Sequence, residues 1–238
     1  MKSYLRFLSR NKLYTAIEVV GLSVALAFVL IIGSYVWQEY SISRENPDYE
    51  RIYIPTQSMP YGIFEPMKEQ IPEIEKITLV NSFDDVVMEC DDERLVTRGL
   101  AVRGDFFDIF DYEFLIGDAG CLESYTDIVI SESYAAKLAG KPELAVGMKI
   151  VPVDYPSQAY TVTGIIKDFD QNYWKYMDFI CKGESPLNDS AQKNPIFTLS
   201  ATAFIKVAES ADVDALGGKI QNIFRQLWGE KLNAAMID

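Results

Sequence analysis

The chain has 238 residues, a formal charge of −13 and no histidine. So acidic a chain repels nucleic-acid phosphates, and the missing histidine removes Ser-His and Cys-His catalysis and most zinc sites. Cys90, Cys121 and Cys181 are widely spaced with no CxxC, which reads as small semi-buried residues with at most one disulfide and at least one free thiol.

Residues 1–12 form a basic leader: Lys2, Arg6, Arg10 and Lys12 occur there without an acid. Met1, Tyr4, Leu5 and Leu8 share one helical face, away from Lys2, Arg6 and Ser9, so the leader is expected as an amphipathic helix on the inner leaflet. Residues 13–38 follow as a transmembrane helix. Its nineteen residues from Val19 to Trp37 carry no charge and no proline, and as a helix they span roughly 28 Å against a bilayer core of roughly 30 Å. Glu18 is the one awkward charge, placed to snorkel toward the headgroups or to face a partner helix.

The span does not read as a cleaved signal. A signal core is about 7–15 residues followed by a small-x-small site, whereas this one exits through Tyr35, Val36, Trp37 and Gln38. Tyr35, Trp37 and Tyr40 suit an aromatic belt at the far interface. By the positive-inside rule the N-terminus is cytoplasmic and the chain beyond about Gln38 lies outside. With the +4 of the leader and the −1 of Glu18 set aside, that exterior part, residues 39–238, carries −16. Contact with anionic lipid is therefore expected only at the anchor. About two hundred residues suffice for one domain or two small subdomains.

In the exterior part, "NPDYERIYIPTQ" breaks at Asn46-Pro47 and then reads as a strand over Arg51 to Thr56. "YGIFEPMKEQIPEIEKITLV" reads as a short helix to about Ile71, stopped by Pro72, and a strand near Ile74 to Val80. "DVVMECDDERLVTRGLAVR" alternates as a hairpin turning at Asp91-Asp92-Glu93. "GDFFDIFDYEFLIGD" reads as a short helix burying Phe106, Phe107, Ile109 and Phe110, with a turn at Gly117-Asp118. "TDIVISESYAAKLAG" is a strand to Ile130 and a helix capped near Ser131 and ended by Gly140. "GMKIVPV" and "AYTVTGIIKDF" read as antiparallel strands, and about Asn172 to Leu199 as a long polar loop. Ala203 to Val207 is then a strand, and Asp212 caps a helix with Val213, Leu216, Ile220, Ile223, Phe224 and Leu227 at helical spacing. Gly217-Gly218 weakens that helix by about 1 kcal/mol per glycine.

The pattern predicts an α+β fold whose halves are far apart in sequence, with a mostly β subdomain inserted between them. The boundaries read as 46–80 and 200–232 for the α+β part and 81–199 for the insertion.

Candidate chemistry is thin. No GxxxxGK[ST] occurs, so the chain does not hydrolyse ATP itself. Asp84-Asp85 and Asp91-Asp92-Glu93 invite calcium but lack EF-hand spacing, and a solvated hairpin tip explains them better. Ser131 invites a nucleophile reading, yet without histidine or SxxK a helix N-cap explains it better. Tyr173, Trp174 and Tyr176 either line a binding surface or pack against the membrane-proximal side or a partner subunit. The expectation is a non-enzyme with no catalytic, cofactor-binding or metal residues.

The stretch "NKLYTAIEVVGLSVALAFVLIIGSYVWQEYSISRENPDYERIY" resembles the start of the MacB-like (FtsX-type) ABC transporter permeases: a basic helix, an asparagine-and-glycine approach to the first span, an acidic exit and a strand ending in Ile-Tyr. "GDFFDIFDYEFLIGDAG", "DIVISESYAAKLAGKPELAVGMKI", "YTVTGIIKDF" and "TAFIKVAESADVDALGGKI" resemble successive segments of that family's periplasmic core domain. Glu18 stands where the family usually has asparagine, and Ala139 where it has phenylalanine.

The resemblance implies a porter-like α+β subdomain with an inserted β-rich one, in the periplasm of a bacterium and anchored by a single span in its inner membrane. It implies a dimer with a second permease subunit and a cytoplasmic ABC ATPase whose cycle moves the periplasmic domain, an action called mechanotransmission. A periplasmic adaptor or cargo is the outer-side partner, and no cofactor is implied. The family continues with three more membrane helices, so the chain is expected to be the N-terminal part of such a permease. The alternative is a stand-alone membrane-tethered periplasmic binding or scaffold protein.

Overall fold

The computed structural model describes residues 12–41, 46, 48–56, 58–91, 93–168, 174, 176–183 and 200–235; residues 1–11 of the leader and Tyr173 lie outside the described residues. The chain divides into two compact units, residues 1–45 and 46–238.

In the first unit, helix α1 runs over Lys12–Ser41 for 30 residues. Its apolar stretch, Lys12–Gln38, is 27 residues long, enough for about 40 Å of helix, and contains an 18-residue window with a mean hydropathy of 2.5. A helix suits this composition because, away from water, only intrasegment bonds satisfy every peptide group. The two serines turn inward on their own backbone, Ser23 Oγ to the Val19 carbonyl at 2.7 Å and Ser34 Oγ to that of Ile31 at 2.9 Å. Leu13 at one end and Trp37 at the other are each more than three-quarters exposed, and the large side chains between them are exposed around the whole circumference. A water-facing helix would bury one stripe; α1 is a candidate membrane helix.

The second unit contains β1 (Ile52–Tyr53), β2 (Met59–Pro60), α2 (Phe64–Gln70), β3 (Ile74–Cys90), β4 (Glu93–Gly104) and α3 (Phe106–Ile109). After these come β5 (Phe114–Ile116), β6 (Asp127–Ser131), α4 (Glu132–Ala139), β7 (Lys149–Pro152), β8 (Tyr160–Ile166), β9 (Phe179–Lys182), β10 (Ser200–Val207) and α5 (Val213–Ala235). The strands form one sheet in the order β1-β10-β3-β4-β9-β6-β8-β5, with β2 beside β10 and β7 bonded to both β3 and β8. That last pairing closes a ring, β3-β4-β9-β6-β8-β7, so the far end of the long β3–β4 hairpin rolls into a small barrel.

Period-2 alternation sorts the core into three clusters. Leu79, Ala203 and Ile205 face Phe64, Met67, Leu216 and Ile223 under α2 and α5. Val80, Leu100, Val102 and Phe204 face the aromatic residues around α3 on the opposite side. Ala101, Ile128, Ile130, Ile150, Val162, Phe179 and Cys181 fill the ring together with Tyr134 and Ala135 of α4. Fully burying an aliphatic side chain of this size is worth about 1.5–3 kcal/mol. Among the described residues, the first cluster draws on 53–79 and 201–227, segments far apart in sequence.

β3 and β4 belong to both the helix-covered layer and the ring. The strand expected to stop near Val80 runs on to Cys90, 17 residues in all from Ile74, because a bulge between Phe83 and Val86 bends it without ending its pairing. The hairpin closes at Cys90 and Glu93, where it was expected.

Two expectations need correction. The long loop from about Asn172 to Leu199 contains β9, parallel to β4 and antiparallel to β6. Its Phe179, Ile180 and Cys181 are buried, and burial on both faces, where alternation is lost, makes a four-residue run a central strand. The strand expected over Arg51 to Thr56 shrinks to Ile52–Tyr53, since Tyr49–Arg51 forms a 3₁₀ turn. The Gly217-Gly218 pair leaves α5 unbroken over 23 residues, because Leu216, Ile220 and Ile223 pack on the sheet. This is tertiary burial overriding propensity.

Candidate functional site

The densest polar cluster lies where the chain enters the second unit. Asn46 accepts the Asp48 amide on Oδ1 at 2.9 Å, the side-chain turn that Asn and Asp favour. Its Nδ2 donates to the Ile109 carbonyl of α3 at 2.7 Å. The Asp48 carboxylate pairs with both Arg51 and Lys206. Lys206 lies opposite Ile52 across β1–β10 and opposite Lys76 across β10–β3, and the next register pair is Val207 with Ile74. Glu75 is therefore the extra residue of a β-bulge. The Arg51 guanidinium sits there, donating through Nη1 to Glu75 Oε2 at 3.1 Å and to the Val207 carbonyl at 3.3 Å.

One residue before β3, Glu73 pairs with Lys219 of α5, and its carbonyl accepts the Ala208 amide at 2.9 Å. The electrostatics follow from these partners. Hydrogen bonding to Lys206 and then to Arg51 holds the Asp48 carboxyl below its usual range, and the Lys219 bond does the same for Glu73. Asp48 in turn raises the Arg51 guanidinium. The cluster contains cations and carboxylates locked to one another with no nucleophile among them; it fastens elements together.

The residues singled out in the sequence are dispersed. Ser131 caps α4, its Oγ accepting the Tyr134 amide at 3.2 Å, while Gly140 at φ +75° ends the helix by donating to the Ala136 carbonyl. The Ser131 hydroxyl thus does backbone work. Asp84 lies 3.5 Å from Arg98 beside the β3 bulge, and Asp85 and Asp91 adopt positive φ in the bends of the hairpin. Among the described residues no group of three or more Cys, Asp and Glu comes together to hold a metal.

Trp174 is buried, edge-on to Phe110 and Phe204 at centroid distances of 4.9 Å each. Tyr176 is exposed at φ +65°. The two were expected on one surface; one is core and the other is solvent-facing.

All three cysteines are free. Burial pushes the Cys181 thiol up to about 11, partly opposed by the Tyr160 hydroxyl. Burial, reinforced by Asp91 and Glu93, also raises Cys90. Cys121 is half-buried and accepts the Asp118 amide on Sγ at 3.3 Å. The Asp48–Arg51–Lys206 cluster went unnoticed in the sequence; Asn-Pro-Asp before an Arg was its local signal, and Lys206 sits 158 residues away.

Comparison with known families places this architecture. The model of the MacB-like periplasmic core domain matches residues 15–223. The chain belongs to that family. Among solved structures, a domain of a permease protein from Porphyromonas gingivalis is similar with a TM-score of 0.63 and 18% identity, over 76% of this chain and 82% of that one. The periplasmic region of MacB from Actinobacillus actinomycetemcomitans follows with 0.52 and 12%, over 73% and 77%. The extracellular domain of the noncanonic ABC-type transporter YknZ from Gram-positive bacteria gives 0.51 and 11%, over 74% and 87%. No protein of curated function matches the chain. At such identities the solved structures establish the fold: a MacB-like periplasmic core domain with one N-terminal candidate membrane helix, of the kind carried by ABC transporter permeases.

Proposed function

We propose that this MacB-like chain is a non-enzymatic part of an ABC transporter permease. In this reading α1 anchors the chain in the inner membrane with its N-terminus in the cytoplasm. A cytoplasmic ABC ATPase and a second permease subunit complete the assembly, and ATPase-driven motion is passed to the periplasmic domain. The observation that carries the reading is the match of the periplasmic core domain over residues 15–223, which includes most of α1. The polar fastening of residues 46–51 to β3, β10 and α3 supports it, since displacement passes only where the segment and the sheet are joined. The absence of histidine and the engagement of Ser131 as a helix cap support a role without chemistry of its own.

The test is a mild-detergent pull-down of the full protein from its native membrane, with partner identification. Co-elution with an ATPase and a second multi-span subunit upholds the permease reading. A chain that elutes with no ATPase refutes it and leaves a tethered periplasmic binding or scaffold module.

A further inference from the structure

The lead-in to the second unit is held unlike the rest of it. Among the described residues, Asn46 and 48–51 contribute no side chain to any of the three core clusters, and the 3₁₀ turn Tyr49–Arg51 has no buried residue. Backbone pairing of the following strand is limited to Ile52 with Lys206 and Tyr53 with Ile205. Polar contacts fasten three of these residues to the rest of the unit: Asn46 to the Ile109 carbonyl, Asp48 to Lys206, and Arg51 to Glu75 and the Val207 carbonyl. The clasp is part-buried, with Arg51 and Asp48 side chains 25% and 30% exposed and Lys206 15%, so water still reaches each member. Ion pairs that water still reaches are screened by salt in part, whereas the sheet beneath is closed by buried aliphatic residues.

The two fastenings also converge. Glu73, paired to α5 through Lys219, and Glu75, paired to the lead-in through Arg51, flank Ile74 at the start of β3. The start of β3 is thus joined both to the segment arriving from α1 in sequence and to the last described helix.

We infer that residues 46–51 form a detachable strap, with Asp48, Arg51 and Lys206 as its clasp seated in the β3–β10 bulge. Closed, the strap delivers displacement at Asn46 to β3, β10 and α3 together. Open, it leaves the sheet intact and lets Asn46 move without it. The strap deepens the permease reading, on which its use in transmission rests, but its existence is read from this chain alone.

The experiment is hydrogen exchange followed by mass spectrometry on the full chain in detergent, comparing the native sequence with Asp48→Asn and Lys206→Gln. The expected result is that amides of residues 46–53 exchange about tenfold faster or more in both variants, while β6, β8 and β9 keep their protection. In the native sequence, raising salt should speed the same amides and no others, and Asp48→Asn should abolish most of that dependence. Unchanged exchange in 46–53 would overturn the clasp. Loss of protection throughout the ring would overturn detachability, because the cluster would then support the whole fold. No ATPase takes part in this measurement, so failure of the strap and failure of the pull-down are told apart.

Discussion

The ring of Phe179 occupies the space that a side chain at position 99 would need: a Cβ built on Gly99 comes within 2.1 Å of the Phe179 Cζ. The two residues are register partners across the parallel β4–β9 pair, and Phe179 is itself 2% exposed within the ring's core.

Gly99→Ala therefore forces a boxed-in aromatic ring to move, at a cost of about 1–3 kcal/mol. Phe179→Ala leaves a cavity and costs about 3–5 kcal/mol. The two are coupled, so Gly99→Ala should be far milder in a Phe179→Leu background. Urea unfolding of the four proteins in one detergent measures this cycle. Additive effects would mean that the ring does not cover Gly99.

Tyr134 contributes a different burden. Its side chain is 1% exposed and its hydroxyl is buried with no hydrogen-bond partner, and burial raises its pKa well beyond an ordinary phenol's. A buried unsatisfied hydroxyl costs about 1–3 kcal/mol. Tyr134→Phe keeps the ring's packing and removes that cost, so the variant should be at least as stable as the native protein and up to about 2 kcal/mol more stable. A loss above about 1 kcal/mol in urea unfolding would reveal a partner, such as a trapped water.

How legible these features were depended on how far the signal had to reach. The hairpin turn at Asp91, the α4 cap at Ser131 and its stop at Gly140 are local, and short motifs specify them completely. The family likeness was readable because several loose segments occur in the right order. β9 was hidden because a strand buried on both faces shows no alternation, and three apolar residues, Phe179 to Cys181, in a polar stretch carry too little pattern. The pairing of Gly99 with Phe179 and of Asp48 with Lys206 depends on partners brought together by the sheet, which no local pattern encodes. The ring closure is hidden for the same reason, since β7 meets β3 and β8 only after the hairpin has bent.

The cysteines should separate by reactivity. A thiol attacks as its thiolate, so Cys181, buried with its pKa pushed up to about 11, and Cys90, buried and raised, should resist alkylation at neutral pH. Cys121 is half-buried and should react first. Mass spectrometry after brief iodoacetamide treatment should find label at Cys121 alone, and at all three residues after denaturation. Prompt native labelling of Cys181 would contradict its place inside the ring.

Glu18 sits within α1, exposed like its neighbours. A carboxylate on a membrane helix is costly unless it snorkels or meets a polar partner. If the chain assembles with another permease subunit through this helix, Glu18→Leu should lower the co-purified partner several-fold while leaving the chain membrane-bound. A plain tether would tolerate the change, and an unaltered yield of partner would remove Glu18 from the assembly.

Acid should open the strap before it unfolds the sheet. Asp48, faced by Lys206 and Arg51, and Glu73, faced by Lys219, both have folded pKa values below their unfolded ones. Such carboxylates contribute stability that is fully present above the unfolded value, about 4, and is lost as pH falls through the folded one. The sign is therefore fixed: between pH 5 and 8, roughly, these pairs give no pH dependence, and protection of residues 46–53 declines only below about pH 4. Glu75 also faces Arg51, at 3.1 Å. Hydrogen exchange across this range, corrected for the intrinsic rate, should show the strap amides losing protection ahead of β6 and β8. Asp48→Asn should start from the open level and lose most of the acid response. A strap that opens only with the ring would show that Asp48 and Lys206 are part of one cooperative unit.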